Sequence, residues 1–240
     1  MTAATGQPAA RQLSLPMRLD DHATFDNFHA TAGNSLALAA ARACAAGGES
    51  AFLFGPPGAG LSHLLQAACH EGGSATRYLP LAELADCEPE AVLEGLEDAD
   101  LLALDDVDAV VADGAWSEQL FHLLNRLQRT GSAVLFSARQ APRQLPCRLP
   151  DLQSRLSWHP AIRVAPLNED QRMAALRDRA HRRGLVLDET VARYIMQRYS
   201  RDPARLFALL EVLDQRSLEL QRRLTIAFVR QTMAAAETVR

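Results

Sequence analysis

The chain has 240 residues, of which 48% are hydrophobic and 22% charged, and its formal net charge is −4. This length allows one large domain or two modest ones, each with its own hydrophobic core. The mild negative charge excludes a global basic field of the kind that holds DNA, so any contact with nucleic acid must be local.

The cysteine pattern indicates neither a metal site nor a disulfide framework. The 4 cysteines form no Cys-x-x-Cys pair and have no histidine at ligand spacing, so we expect the reduced thiols of a cytosolic protein. The N-terminus has no charged segment followed by an apolar run, and no stretch approaches about 18 uninterrupted apolar residues. These patterns predict a cytoplasmic protein without a membrane partner.

The first segment of the chain is predicted to be a flexible tail. Residues 1–10 are small and polar, with Gly6 and Pro8, and such a composition buries too little surface to order itself. In the hexapeptide that follows, the Gln side chain can hydrogen-bond, and the two Leu and the Met can fill apolar pockets of a partner. By itself, the hexapeptide fits a simple strand entering the domain equally well. Its residues are Gln12, Leu13, Ser14, Leu15, Pro16 and Met17.

A phosphate-binding loop is predicted next, between a strand and a helix. Residues 34–46 favour a helix, Ala51 to Phe54 form a short apolar strand, and a second helix is predicted over Ser62 to His70. Strand, glycine loop and helix in this order are the context that such a loop requires, whereas a fortuitous Gly/Pro turn is the alternative. The candidate nucleotide-binding residues are Gly55, Pro56, Pro57, Gly58, Ala59, Gly60, Leu61, Ser62 and His63.

The loop lacks its lysine. The spacing G-x-x-x-x-G-K-[ST] places a Lys on the β/γ-phosphates, and Leu61 stands at that position. All 25 basic residues of the chain are arginines, but a bias against lysine would explain Arg here and not Leu. We therefore expect a loop that holds a nucleotide through its backbone amides and has lost much of its hydrolytic power, which favours a regulator over an autonomous enzyme.

Two further apolar strands are predicted to end in polar residues at the nucleotide. Leu101 to Leu104 lead into Asp105 and Asp106, and Ala133 to Phe136 lead into Ser137. Asp105 would orient Mg²⁺ through water, with Ser62 as a direct ligand, and Asp106 could polarise an attacking water. Ser137 would sense the γ-phosphate. The alternatives are a solvated acidic turn and an ordinary strand end.

The last third of the chain is predicted to be helical. Helices are indicated over residues 172–183 and 191–199, then from Asp202-Pro203 onward and over residues 226–234, so a small helical subdomain begins near residue 166. Two arginines are candidate functional residues because of their positions. Arg155 lies in the run Pro150 to Leu156, and Arg205 lies at the start of the helix after Pro203.

The order of these motifs resembles an AAA+ domain of the DnaA branch. The motifs are the glycine loop, the Leu-Asp-Asp strand, the Ser137 strand, the run Asp-Leu-x-Ser-Arg-Leu and the late helical arginine. From Gln12 to about Ala234 the chain is similar to the DnaA-related regulators that inactivate the replication initiator. Phe25-Asp26-Asn27-Phe28 with Asn34 resembles the entrance to the adenine pocket of this branch.

The resemblance implies an α/β fold, namely an AAA+ P-loop parallel sheet with a C-terminal helical lid subdomain. The implied organisation is a flexible tail with a clamp-binding motif (1–22), an α/β nucleotide-binding subdomain (23–165) and the lid (166–240). Gln12 to Met17 would bind the DNA polymerase III sliding clamp, its beta subunit. Arg155 would be an arginine finger acting in trans on ATP-bound DnaA, and Arg205 a second sensor for this protein's own ADP or ATP with Mg²⁺.

The implied function is negative regulation of chromosomal replication initiation, by promoting hydrolysis of DnaA-bound ATP with little ATPase activity of its own. Whether the idle protein forms a homo-oligomer stays open. An autonomous AAA+ ATPase such as a helicase loader would explain Asp105, Asp106 and Arg205 equally well, although Leu61 argues against it. A DNA-binding initiator would need an additional helix-turn-helix domain, for which we expect no room.

Overall fold

A computed structural model describes residues 19–199 and 202–237, so the hexapeptide Gln12 to Met17 lies outside the described residues. The strands of the described part are β1 (Ala51–Phe54), β2 (Thr76–Pro80), β3 (Leu101–Asp105), β4 (Ala133–Ala138) and β5 (Ala161–Arg163). The helices are α1 (Ser35–Ala45), α2 (Leu61–Gly72), α3 (Leu81–Leu84), α4 (Pro89–Leu93), α5 (Gly114–Thr130), α6 (Pro150–Leu156), α7 (Glu169–Arg182), α8 (Glu189–Arg198), α9 (Pro203–Leu220) and α10 (Ile226–Glu237).

The strands form one parallel sheet in the order β2-β3-β4-β1-β5. The predicted α/β fold with a parallel sheet is therefore confirmed, and β1 has the predicted bounds. In this order β4 lies between β1 and β3, with Leu53 beside Ser137 and Leu104 beside Phe136. The carboxyl ends of β1, β3 and β4 consequently meet at one edge of the sheet.

The sheet is buried on both faces because its central strands are continuous apolar runs. Every residue of β3 and β4 is buried. Successive side chains alternate between two hydrophobic clusters, as the period of a strand requires. Phe52, Leu102, Leu104 and Phe136 face the cluster with α5, whereas Leu53, Leu101, Ala103 and Leu135 face the cluster with α1 and α2.

Helices α7 to α10 form the predicted helical lid around a third cluster that includes Leu176, Ile195, Leu210 and Phe228. Asn168 and Gln171 form a capping box, so α7 begins at Glu169 and not at the predicted residue 172. In the described part of the chain, no helix is both long and apolar enough to cross a membrane.

Candidate nucleotide-binding site

A cleft of about 350 Å³ lies at the carboxyl edge of the sheet, between the glycine loop and the lid. Its walls come from four parts of the chain: the segment before α1, the loop and first turn of α2, the ends of β3 and β4, and the lid. The lining residues are Asn27, Phe28, His29, Asn34, all of residues 55–63, Asp106, Arg139, Leu167, Asp202, Pro203 and Phe207. The predicted glycine loop thus forms one wall of a pocket.

The glycine loop is held between the N-terminal segment and the lid. Gly60 has φ +89°, and a Cβ there would lie 2.9 Å from Phe28 Cε2. Gly58 has φ +77°, and a Cβ would approach Pro203 Cδ to 3.3 Å. Both the positive φ values and the close neighbours require glycine. Because α2 starts directly after Gly60, the N–H groups of its first turn have no intrahelical acceptors and can bind phosphate oxygens.

Leu61 occupies the position of the missing lysine as a partly buried side chain. It lines the cleft, and it also packs against the hydrophobic cluster beneath α2. The residue therefore contributes packing and no charge. The groups that the loop offers to a phosphate are its backbone N–H groups and the Ser62 hydroxyl, and this set fits a nucleoside phosphate.

The other end of the cleft is apolar and aromatic. The rings of Phe28 and His63 lie 5.5 Å apart. His63 Nε2 donates a hydrogen bond to the Thr24 carbonyl at 2.8 Å, and burial lowers the pKa of His63, so the ring is neutral. Asn34 accepts from the Thr31 N–H at 2.7 Å and donates to the His29 carbonyl at 3.1 Å, which fixes this wall. The walls suit a planar base.

Asp105 and Ser137 lie behind the cleft and not on its surface. Asp105 is only 2% exposed and accepts hydrogen bonds from Tyr78 Oη at 2.7 Å and from Ser137 Oγ. Ser137 Oγ in turn accepts from the Asp106 N–H at 2.8 Å. Their predicted roles towards Mg²⁺ and the γ-phosphate stay predictions, because neither residue is among those that line the cleft. The network fixes the backbone that presents Asp106.

Tyr78 belongs to this network, although no motif in the sequence predicts it. Burial raises the pKa of Tyr78, so its hydroxyl keeps the proton that it donates to Asp105. The residue lies on β2, whose pairing with β3 places Tyr78 opposite Ala103. A tyrosine in an edge strand gives no signal of this role until the strand order is known.

Of the two carboxylates at the end of β3, Asp106 is the one that lines the cleft. Its φ is +54°, in the left-handed region. Burial and, after it, the neighbouring Asp105 and Asp108 carboxylates raise the pKa of Asp106 to about 6, against the opposing effect of Arg139. A carboxyl tuned in this way suits proton exchange with a water near neutral pH. Among the described residues, no group of three or more His, Cys, Asp and Glu side chains could hold a metal ion.

Asp106→Asn is expected to stabilise the protein at pH 7.5 and to have little effect near pH 3, below the pKa of the unfolded chain. A carboxyl whose pKa rises from 3.8 to about 6 on folding binds its proton more tightly in the folded state, so stability is lost as pH increases through this window. The ceiling is about 3 kcal/mol, and solvent screening of this half-exposed group reduces the expected gain to about 1 kcal/mol.

Urea unfolding at both pH values measures this difference. Asparagine tolerates the left-handed conformation, so the substitution adds no backbone strain. The exposed Asp21→Asn serves as the control and should give the wild-type profile. A variant less stable than the wild type at pH 7.5 would contradict the assignment.

The two predicted functional arginines lie outside the cleft lining. Arg205 is an exposed residue in the first turn of α9, two positions after the cleft-lining Pro203, and its role as second sensor stays a prediction. Arg155 lies on α6, where its guanidinium donates to Gln128 Oε1 and stacks on the Trp158 ring at 4.1 Å. Trp158 and the cleft residues Arg139, Leu167 and Phe207 were not predicted from the sequence.

Together, the loop between β1 and α2, the carboxylates at the end of β3, the sheet order and the lid define an AAA+ nucleotide-binding fold. The sequence model of the bacterial DnaA ATPase domain matches residues 19–163, and the model described as Hda, lid domain, matches residues 169–233. The chain belongs to the bacterial DnaA ATPase domain family, and its lid is of the Hda type. It is a DnaA-like AAA+ domain related to DNA replication.

Solved structures share this fold. Domain III of Thermotoga maritima DnaA superposes with a TM-score of 0.73 at 22% identity, over 91% of this chain and 98% of that chain. AMPPCP-bound DnaA from Aquifex aeolicus gives a TM-score of 0.68 at 22% identity, over 84% and 68%. A Thermotoga maritima RuvB variant gives 0.63 at 19% identity, over 88% and 71%. At these identities, the similarity establishes the fold alone.

Proposed function

We propose that this protein is a negative regulator of chromosomal replication initiation. Together with the DNA-loaded sliding clamp, it would promote hydrolysis of DnaA-bound ATP by inserting Arg155 as an arginine finger. The observation that carries the proposal is the placement of Arg155, which lies outside the protein's own cleft and is partly exposed. A guanidinium that acts in trans must be available at the surface, where it can reach the phosphoryl group on a partner.

The surroundings of Arg155 support this role. Trp158 is 61% exposed, and Gln128 is also exposed, so the guanidinium is held by two groups that a docked partner could cover. Stacking and a hydrogen bond reduce the rotamer freedom that a long side chain loses on binding. An arginine held in this way contributes charge stabilisation on the partner at a smaller entropic cost.

The cleft would hold ADP or ATP as a structural cofactor with slow turnover. Its loop amides, Ser62 and aromatic wall fit such a ligand, and the related Aquifex aeolicus DnaA is bound to AMPPCP. When bound, a nucleotide would supply phosphate charge, with Mg²⁺ where present, between the loop and the lid. The protein's own residues would orient the loop. Phe28 and Phe207 would exclude water, and Asp106 would hold a proton.

Recruitment would depend on the hexapeptide from Gln12 to Met17 as the ligand of the sliding clamp in the cytoplasm. Tethering to a clamp on DNA raises the local concentration of the regulator near DNA-bound DnaA, without new contacts between the two AAA+ domains. The apolar side chains of Leu13, Leu15 and Met17 are the expected anchors.

Deleting Gln12 to Met17 is expected to abolish clamp binding and the stimulation that the clamp provides. Clamp pull-down and hydrolysis of DnaA-bound ATP, each with and without clamp-loaded DNA, measure the two effects. A chain that lacks residues 2–8 and keeps the hexapeptide is the matched control and should behave as the wild type. Undiminished pull-down of the clamp by the hexapeptide deletion would contradict the assignment.

The same assay tests the rival function, an autonomous AAA+ ATPase such as a helicase loader. Brisk ATP hydrolysis by the purified protein alone, lost on Asp106→Asn, would favour that rival. Under the proposed function, the protein alone turns over slowly because Leu61 supplies no charge to the phosphates.

A further inference from the structure

The phosphate end of the cleft lacks the positive charge that a lysine in the loop would provide. In a loop with the common spacing, a lysine ammonium lies on the phosphates, and here Leu61 is apolar. Among the cleft-lining residues in the described part of the chain, Arg139 is the one arginine, and His63 is kept neutral by burial. A multiply charged phosphate chain needs a cation close by, and Arg139 is the candidate for that cation.

Arg139 emerges beside the start of the loop. It follows β4 directly, and β4 pairs with β1 so that Ala138 lies opposite Phe54. The Gly55 N–H donates to the Ala138 carbonyl at 3.1 Å. The residue after Ala138 is consequently adjacent to the first glycine of the loop, while Asp106 lines the same cleft from β3.

The guanidinium of Arg139 is only weakly held. Its Nε lies 3.8 Å from Asp108 Oδ2, and its side chain is 68% exposed. The Arg139 N–H donates to Asp108 Oδ1 at 3.3 Å, which fixes the backbone and leaves the side chain able to move. A long, exposed ion pair of this kind contributes little to stability, so a phosphate can displace it.

We propose that Arg139 binds the phosphates of the nucleotide. Its guanidinium neutralises part of the phosphate charge, which the apolar Leu61 cannot do. The guanidinium exchanges the Asp108 carboxylate for phosphate oxygens, which it can bind with two parallel hydrogen bonds. The positive charge at the phosphates thereby comes from the end of β4, and not from the lysine position of the loop. This inference rests on the proposed binding of a nucleotide in the cleft.

Calorimetric titration of the full chain with ADP and with adenosine tests this role. Arg139→Gln is expected to weaken ADP binding by about 10- to 100-fold, the loss typical of hydrogen bonds to a charged group, and to leave adenosine binding unchanged. Arg143→Gln is the matched control, because Arg143 is exposed in the same connection and does not line the cleft. Adding Leu61→Lys to Arg139→Gln should restore much of the ADP affinity.

Unchanged ADP affinity in Arg139→Gln would overturn the proposal, and so would an equal loss for ADP and adenosine, since that would indicate a change in the shape of the cleft. These outcomes leave nucleotide binding by the wild type intact. A wild-type protein that binds no ADP would instead refute the nucleotide-binding part of the proposed function along with the role of Arg139.

Discussion

Arg155→Ala is expected to reduce the stimulation of DnaA-bound ATP hydrolysis by about 10³-fold or more, the range that arginine fingers contribute. The guanidinium stabilises charge that develops on the transferring phosphoryl group, and alanine offers nothing in its place. The measurement is single-turnover hydrolysis of ATP preloaded on DnaA, with clamp-loaded DNA and saturating regulator.

Two variants define what this result means. Arg155→Lys keeps the charge without the planar fork and should remain strongly impaired. Arg193→Ala removes another exposed arginine, paired with Glu189 at 2.6 Å on α8, and should stimulate as the wild type does. Clamp pull-down by Arg155→Ala should be normal. Full stimulation by Arg155→Ala would eliminate the arginine-finger proposal.

Phe136→Ala is expected to lower the free energy of unfolding by about 3–5 kcal/mol, as large-to-small substitutions of aromatic core residues do. Phe136 is 0% exposed on the central strand β4, its ring stacks on Phe52 at 5.7 Å, and His159 lies 5.2 Å away. Alanine leaves a cavity that a packed sheet cannot close. Denaturant unfolding measures the loss.

The matched control is Leu218→Ala, because Leu218 is 73% exposed and its truncation should change stability by less than about 0.5 kcal/mol. Phe136→Leu keeps most of the apolar volume and should fall between the two variants. A Phe136→Ala protein within about 1 kcal/mol of the wild type would show that this part of the sheet relaxes freely.

The sequence was sufficient for the parts of the fold that carry a strong local pattern. The runs that form β1, β3 and β4 are continuously apolar, and the glycine loop follows β1 directly. The edge strand β2 was not predicted, since Thr76–Pro80 is only half buried and contains an exposed arginine. Long-range pairing, and not local propensity, makes that segment a strand.

The same distinction applies to the site. The loop and Asp106 could be identified because their chemistry is concentrated in short motifs. Arg139, Tyr78 and Phe207 could not, because strand order and lid packing bring them together from distant parts of the chain. The sequence predicts Asp105 as an Mg²⁺-orienting group because it does not show that Tyr78 and Ser137 donate hydrogen bonds to its carboxylate.

The exposed indole of Trp158 gives the molecule a built-in optical reporter. The chain has 2 tryptophans, and the other, Trp116, is 2% exposed with its Nε1 donating to the Ala85 carbonyl at 3.1 Å. Long-wavelength emission should therefore come from Trp158, which lies against Arg155. Burial of that ring by a partner would shift its emission to the blue, so docking at the Arg155 surface can be followed in real time without a label.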